Sequence, residues 1–225
     1  MRTSVCAASI VAGVGLGVFF ERWRSARAQS RCFVTGGVGS GVSLRRAGPG
    51  DAAQMLSFIK GLAEFEMQPQ AVCLSEEQLR QDITAGLFEC VLADSFVTGE
   101  CIGFALFYMT YSTTVGRGVY LHDLFVDYSA RRQGVGLALL RAVAQVAHAR
   151  ECARLIWCAF DWNENAILFY KSPVVGAQIV SSTLCETPKY MQNSKEVVMQ
   201  NSKVINFKLD AAGIARIAGY GVVAK

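Results

Sequence analysis

The stretch YLHDLFVDYSARRQGVGLALL, Tyr120 to Leu140, decides the fold. Its first part belongs to an apolar run, Gly118–Val126, that reads as a strand. Its last part opens a helix from Gly134 to about Arg150, with Val135, Leu139, Val143 and Val146 recurring on one apolar face. Between them lies Arg131–Gly136. Glycines at 134 and 136 let backbone amides face outward with no Cβ in the way. The first turn of the helix leaves N–H groups unpaired and carries a partial positive charge. Arg131 and Arg132 add full charges. A pyrophosphate fits such a loop; a plain strand-to-helix connection is the competing reading.

Working outward, Gly41–Ala47 reads as a first strand. Asp51 stands where it can cap AAQMLSFIKGLAEFE, in which Met55, Ile59 and Leu62 recur at roughly helical spacing. Ser75 and Gln78 fit a capping box for a short second helix. Phe88–Asp94, Cys101–Tyr111 and Gly118–Val126 form an expected three-strand meander. ARLIWCAF then reads as a buried strand, a helix starts at Asn163, and INFKL supplies a final strand. The fold class is α/β, a mixed sheet with helices against it and an α/β crossover in its second half.

The 225 residues suffice for one good-sized core, and 52% hydrophobic content argues against general disorder. A net charge of +4, with no basic stripe interleaved with aromatics, gives no reason to expect nucleic acid. The eight cysteines form no CxxC pair, and with two histidines a closed zinc site is not expected, so no metal is assigned. Buried thiols in a reducing compartment are the simplest reading, which favours the cytoplasm. Residues 1–41 differ: an apolar run from Val5 to Phe20 precedes Arg22, Arg24, Arg27 and Arg31. That segment reads as an anchor, a targeting leader or an inert extension, and membrane contact is expected only if it is an anchor. The folded domain is placed at 42–218, with a tail at 219–225.

His122 is a natural proton acceptor near neutrality, with a reference pKa of about 6.5, or else a half-buried polar side chain. In a regular strand it faces away from Asp123, and a bulge would change that. His148 reads as a solvated residue favourable to a helix end. Tyr170 is either a core ring or a proton donor, and Asn163 is an N-cap. Glu66 is a candidate for attracting a cationic substrate.

Arg131-x-x-Gly134-x-Gly136 matches the acetyl-CoA motif of the GNAT N-acetyltransferases. YLHDLFVDYSARRQGVG and DWNENAILFYKS resemble the diamine acetyltransferase group, which includes the spermidine/spermine and thialysine enzymes. The resemblance implies a mixed sheet splayed open around acetyl-CoA between VYLHDLFV and RLIWCAF. It implies that the main chain at Leu124, Phe125 and Val126 pairs with the pantetheine. Arg131, Arg132, Gln133, Gly134, Val135 and Gly136 would hold the pyrophosphate, and Asn163, Tyr170 and Lys171 would line the cofactor side. Tyr170 would protonate the departing thiolate in a direct transfer to a neutral amine. Glu66, His122 and Asp123 would form the amine side, His122 standing where relatives carry glutamate. A homodimer is also implied.

Polyamine-specific relatives place an aspartate and a tryptophan near Ser112 and Thr114, and this chain has neither. The substrate expected is therefore a primary amine of a small polyamine, diamine or thialysine-like compound, with the thialysine type the better analogue. The alternatives are a protein lysine or N-terminal acetyltransferase, or a degenerate acetyl-CoA-binding protein. Pro173 is expected to end the Tyr170 helix, and Glu186–Ser202 to separate the last two strands.

Overall fold

The computed structural model describes residues 41–184 and 203–220. Along them the order is β1 (Val42–Arg46), α1 (Ala52–Phe65), α2 (Glu76–Ala85), β2 (Glu89–Ser95), β3 (Cys101–Ser112), β4 (Gly116–Val126), α3 (Val135–Ala149), β5 (Arg154–Phe160), α4 (Glu164–Lys171), β6 (Gln178–Leu184), β7 (Lys203–Asp210) and α5 (Ala211–Ile217). The sheet runs β1-β2-β3-β4-β5-β7-β6. Strands β1 to β4 form an antiparallel meander, β4 and β5 are parallel across the α3 crossover, and β7 returns antiparallel to β5. This is the expected mixed sheet. The segment 1–40 and the Glu186–Ser202 insertion lie outside the described residues. Among the described residues no helix is long and apolar enough to cross a membrane.

The sheet buries a core on each face. Met55 and Phe58 of α1 and Leu79 of α2 cover Leu92, Phe104 and Leu106. On the other face, Leu139, Leu140 and Val143 of α3 and Ile214 of α5 cover Ala105, Phe107, Leu155 and Phe207. The helical spacing of Val135, Leu139, Val143 and Val146 is realised, all four being buried.

Strand β4 changes parity in mid-run. Val119 and Leu121 face α3, but further on it is Leu124 and Val126 that pack toward α3 while Phe125 turns to α1. The cause is a register shift against β3: Leu106 pairs with Asp123 and Phe107 with Leu121, so His122 has no partner. One extra residue bends the strand and adds twist. Pairing of β4 with β5 runs from Gly118↔Arg154 to Tyr120↔Ile156 and stops there, two residues before His122. Beyond that point the strands diverge, and the sheet opens into a split.

Several local expectations need correction. Asp51 precedes α1 but does not cap it; its carboxylate accepts from the Gly48 N–H and from Arg45, within a tight Pro49–Asp51 turn. Ser75 does cap α2 by accepting from Gln78 N, but the Gln78 amide turns to Asp82, so the box is half formed. His148 is half-buried and stacks on Tyr220 at 4.3 Å rather than simply facing water. In β5 only Leu155 and Trp157 are buried, since its other face borders the split. Pro173 acts as expected: α4 stops at Lys171 and Ser172 is extended.

Glu89 ties the sheet to the end of α3. It accepts two bonds from Arg150, at 2.5 and 2.9 Å, and a third from Arg46 at 2.7 Å. Its side chain is 11% exposed. Glu89→Ala leaves the Arg150 guanidinium without its carboxylate in a shielded place, and is expected to cost about 3 kcal/mol of unfolding free energy. Urea denaturation reads this directly, and a loss under about 1 kcal/mol would show that water replaces the carboxylate.

Candidate active site

The bulge is what brings His122 and Asp123 together. Adjacent side chains in a regular strand point to opposite faces. Here His122 Nδ1 lies 2.9 Å from Asp123 Oδ1, the exception to divergence that a bulge was expected to make. The His122 side chain is 57% exposed and that of Asp123 16%. Tyr108 and Tyr120 stack on each other at 5.3 Å, and each packs 6.1 Å from the His122 ring. Tyr120 also reaches across the split, its hydroxyl 3.4 Å from Cys158 Sγ on β5.

Glu66 comes to the same place from α1. It is the C-cap of that helix, and its N–H donates to Leu62 O at 2.8 Å. Tyr170, in the last turn of α4, arrives from the α3 side of the sheet. Its ring packs on Trp157, Phe169 and Phe207. Asn163 caps α4 by accepting from Ala166 N, and it lines the cleft as well. The split thus holds a cavity of about 70 Å³ that joins Glu66, His122, Asp123, Leu124, Asn163 and Tyr170. Trp157 and Cys158 of β5 also line it, and neither was singled out in the sequence. Their signal was their position in the strand expected to face β4.

The electrostatics follow from this convergence. Burial, helped by the nearby negative charge of Asp123 and opposed by the His122 cation, raises the Glu66 carboxyl to about 7. His122 is raised above 6.5, chiefly by its hydrogen bond to Asp123, against a smaller effect of burial. The contact with Asp123 thus favours the cationic form of His122. Burial pushes the Tyr170 phenol well above its usual range, so it stays protonated.

The expected phosphate loop is built from main chain rather than from arginine heads. Arg132 has φ 64° and Gly134 φ 84°, so the chain turns sharply just before α3. Gly134 caps that helix in a left-handed conformation that glycine adopts without strain. A Cβ at Gly136 would meet nothing nearer than Val126 Cγ2 at 3.9 Å, so no protein packing demands a glycine there. Open amides with room in front of them suit a diphosphate. Arg131, expected to supply charge, is otherwise engaged. Its Nε donates to Val126 O at 3.0 Å, and its guanidinium lies 4.9, 5.8 and 5.1 Å from the rings of Phe65, Phe125 and Tyr128. The Gln133 amide donates to Ser129 O. Arg132 is exposed, as is Lys171 in the last turn of α4. Val135 is 1% exposed, so its side chain belongs to the core and only its N–H can serve a ligand.

The wall of β4 also suits a pantetheine. Asp127 N–H donates to Ile102 O on β3, and by strand alternation Phe125 N–H faces β3 too. The N–H groups of Leu124 and Val126 then face the split, where β5 no longer pairs. Phe125 contributes no side chain there, since its ring packs on Phe58 at 5.8 Å.

Residues 60–172 match the model of the acetyltransferase (GNAT) family. The chain belongs to that family. This GNAT protein is an acetyl-CoA-dependent N-acetyltransferase. It is 37% identical over 145 residues to thialysine N-epsilon-acetyltransferase of Bos taurus, covering 61% of this chain and 84% of the relative. The Caenorhabditis elegans enzyme of the same name is 38% identical over 122 residues, covering 54% and 75%. Among solved structures, a GNAT-family acetyltransferase from Streptococcus pneumoniae superposes with a TM-score of 0.60 at 17% identity, covering 75% of this chain and 99% of its own. An acetyltransferase from Salmonella typhimurium, solved with its cofactor acetyl-CoA, gives 0.59 at 13% identity, covering 76% and 94%. At such identities the two structures speak to the fold.

Gly134→Asp would put a carboxylate and a Cβ into the turn ahead of α3, at a φ that side chains rarely adopt. Calorimetry is expected to show acetyl-CoA binding abolished in the folded variant, and unchanged affinity would remove the loop from the cofactor site.

Proposed function

We propose that the enzyme acetylates a small primary amine of the diamine or thialysine type. The observation that carries this reading is the meeting of Glu66, His122 and Asp123 in the split opposite Tyr170. Two carboxylates attract an ammonium group. The intervening imidazole limits the negative charge, which suits a compact amine better than a long polyamine. The relatives named for thialysine support this reading.

Acetyl-CoA, when bound, supplies the acetyl group as an activated thioester. The N–H groups of Leu124 and Val126 would hold its arm, and the amides of Gly134 to Gly136 its diphosphate. Glu66 would take the amine proton, because its carboxyl titrates at about 7 and is half ionised at neutrality. His122 would stay with Asp123 and tune Glu66. Tyr170 would keep a proton for the departing sulfur. Turnover with a panel of thialysine, lysine, ornithine, spermidine and an acceptor peptide tests the assignment. Small amines are expected to win, and Tyr170→Phe to slow them by about 10²–10⁴-fold with little loss of acetyl-CoA affinity. Preference for the peptide would overturn the substrate class, and wild-type turnover in Y170F would overturn the role of the phenol.

The pH profile separates Glu66 from His122. As pH rises through about 7 the Glu66 carboxylate forms, so kcat/KM, corrected for the amine's own titration, is expected to climb there. Glu66→Gln should remove this limb. His122→Gln removes the cation that holds Glu66 down, so the limb should move to higher pH rather than vanish. A limb that disappears in H122Q and persists in E66Q would return proton acceptance to His122.

A homodimer is also proposed, as is a cytoplasmic setting, which the thiols of Cys73, Cys90, Cys101 and Cys152, none of them in a disulfide, support. Strand β6 is an edge of the described sheet and carries exposed Ile179 and Val180, which suits pairing of two copies. Light scattering at micromolar protein is expected to give twice the chain mass, and a monomer mass would refute it.

A further inference from the structure

Trp157 is 2% exposed, and its indole Nε1 has no hydrogen-bond partner. A buried indole N–H normally finds an acceptor, because leaving it unpaired forfeits the hydrogen bond it made to water. Its packing accounts for the ring but not for the donor. The indole stacks on Phe207 at 6.0 Å and meets the Tyr170 ring edge-on at 5.2 Å. A phenylalanine would serve both contacts.

The position of Trp157 points to what is missing. It follows Ile156, the last residue of β5 to pair with β4, and so stands where the split begins. It lines the cleft together with Leu121, Leu124 and Tyr170. Facing it across the gap is the wall from which the N–H groups of Leu124 and Val126 project. An indole N–H donates and cannot accept, so whatever completes it must bring a lone pair. The arm of acetyl-CoA carries such groups at intervals: two amide carbonyls and the thioester carbonyl.

We propose that the indole N–H of Trp157 donates a hydrogen bond to a carbonyl oxygen on the arm of bound acetyl-CoA, which makes Trp157 a cofactor-positioning residue on the β5 wall. The proposal rests on acetyl-CoA occupying the split. It adds to the β4 wall, which offers main-chain donors, a side-chain donor on the opposite wall. The arm would then be gripped from both sides at the apex, beside Tyr170. A carbonyl on the arm would give the buried indole N–H the acceptor that no group among the described residues supplies.

The test reads the proton itself. The chain has three tryptophans, Trp23, Trp157 and Trp162, so the indole N–H signals of ¹⁵N-labelled protein are few. Trp23→Phe and Trp162→Phe assign the Trp157 signal by subtraction, and the wild-type protein carries the measurement. On saturation with acetyl-CoA the Trp157 N–H is expected to move downfield and to exchange more slowly with solvent. If free CoA produces the same change, the acceptor is an arm amide; if only acetyl-CoA does, it is the thioester carbonyl. The change should persist in Tyr170→Phe. Trp157→Phe should weaken acetyl-CoA binding about 3- to 10-fold by calorimetry, the worth of one hydrogen bond.

An unmoved Trp157 signal in protein that calorimetry shows to be saturated would overturn the proposal. So would loss of the shift in Y170F, which would make the Tyr170 hydroxyl the acceptor. Absence of any acetyl-CoA binding to the wild-type chain is a different failure, since it would strike the occupancy of the split itself.

Discussion

The unpaired His122 in β4 is the constraint on which the functional part of the molecule depends. One extra residue against β3 reverses the parity of the strand, so that Leu121 and Leu124 both face α3. The same irregularity comes just past the last β4–β5 pair. A continuous ladder would satisfy the N–H groups of Leu124 and Val126 against β5 and would leave no room for a ligand. Breaking it leaves those N–H groups without a strand partner on that side, in a split that has room beside it.

The same bulge sets the charge pattern. By turning His122 and Asp123 toward each other it lets the carboxylate favour the imidazolium, and Glu66 then faces a mixed pair rather than two like charges. Glu66 is pushed up mainly because α1 delivers it into a shielded place. Identity at one position thus changes the behaviour of a residue on another element. The contact with Asp123 raises His122, and the His122 cation in turn lowers the carboxyl of Glu66 opposite it.

The loop before α3 divides its work in a way that residue types alone do not announce. Arg131 has the charge expected for a phosphate, but its side chain is a strut. It crosses from the end of β4 to Phe65 at the end of α1, and so holds the helix that delivers Glu66. Phe65 in turn packs 5.6 Å from Trp162, beyond the end of β5. The main-chain amides before α3, which glycine at 134 and 136 keeps accessible, stand apart from that strut.

Much of this was legible in the sequence. The strand order to β4, the α3 crossover, the buried stripe of that helix and the stop at Pro173 all come from local periodicity and backbone chemistry, which act over a few residues. The motifs around Gly134 and Asn163 pointed to the cofactor for the same reason: a turn, a cap and an open amide are local properties. What the sequence left undecided was everything that depends on partners far along the chain. Whether His122 meets Asp123, whether Glu66 is shielded, where the Arg131 guanidinium goes, and that Trp157 and Cys158 line the cleft were settled by strand register and by the packing of α1 and α4. A one-residue shift in register redirects every later side chain, and nothing within the strand's own residues determines which strand it will be read against.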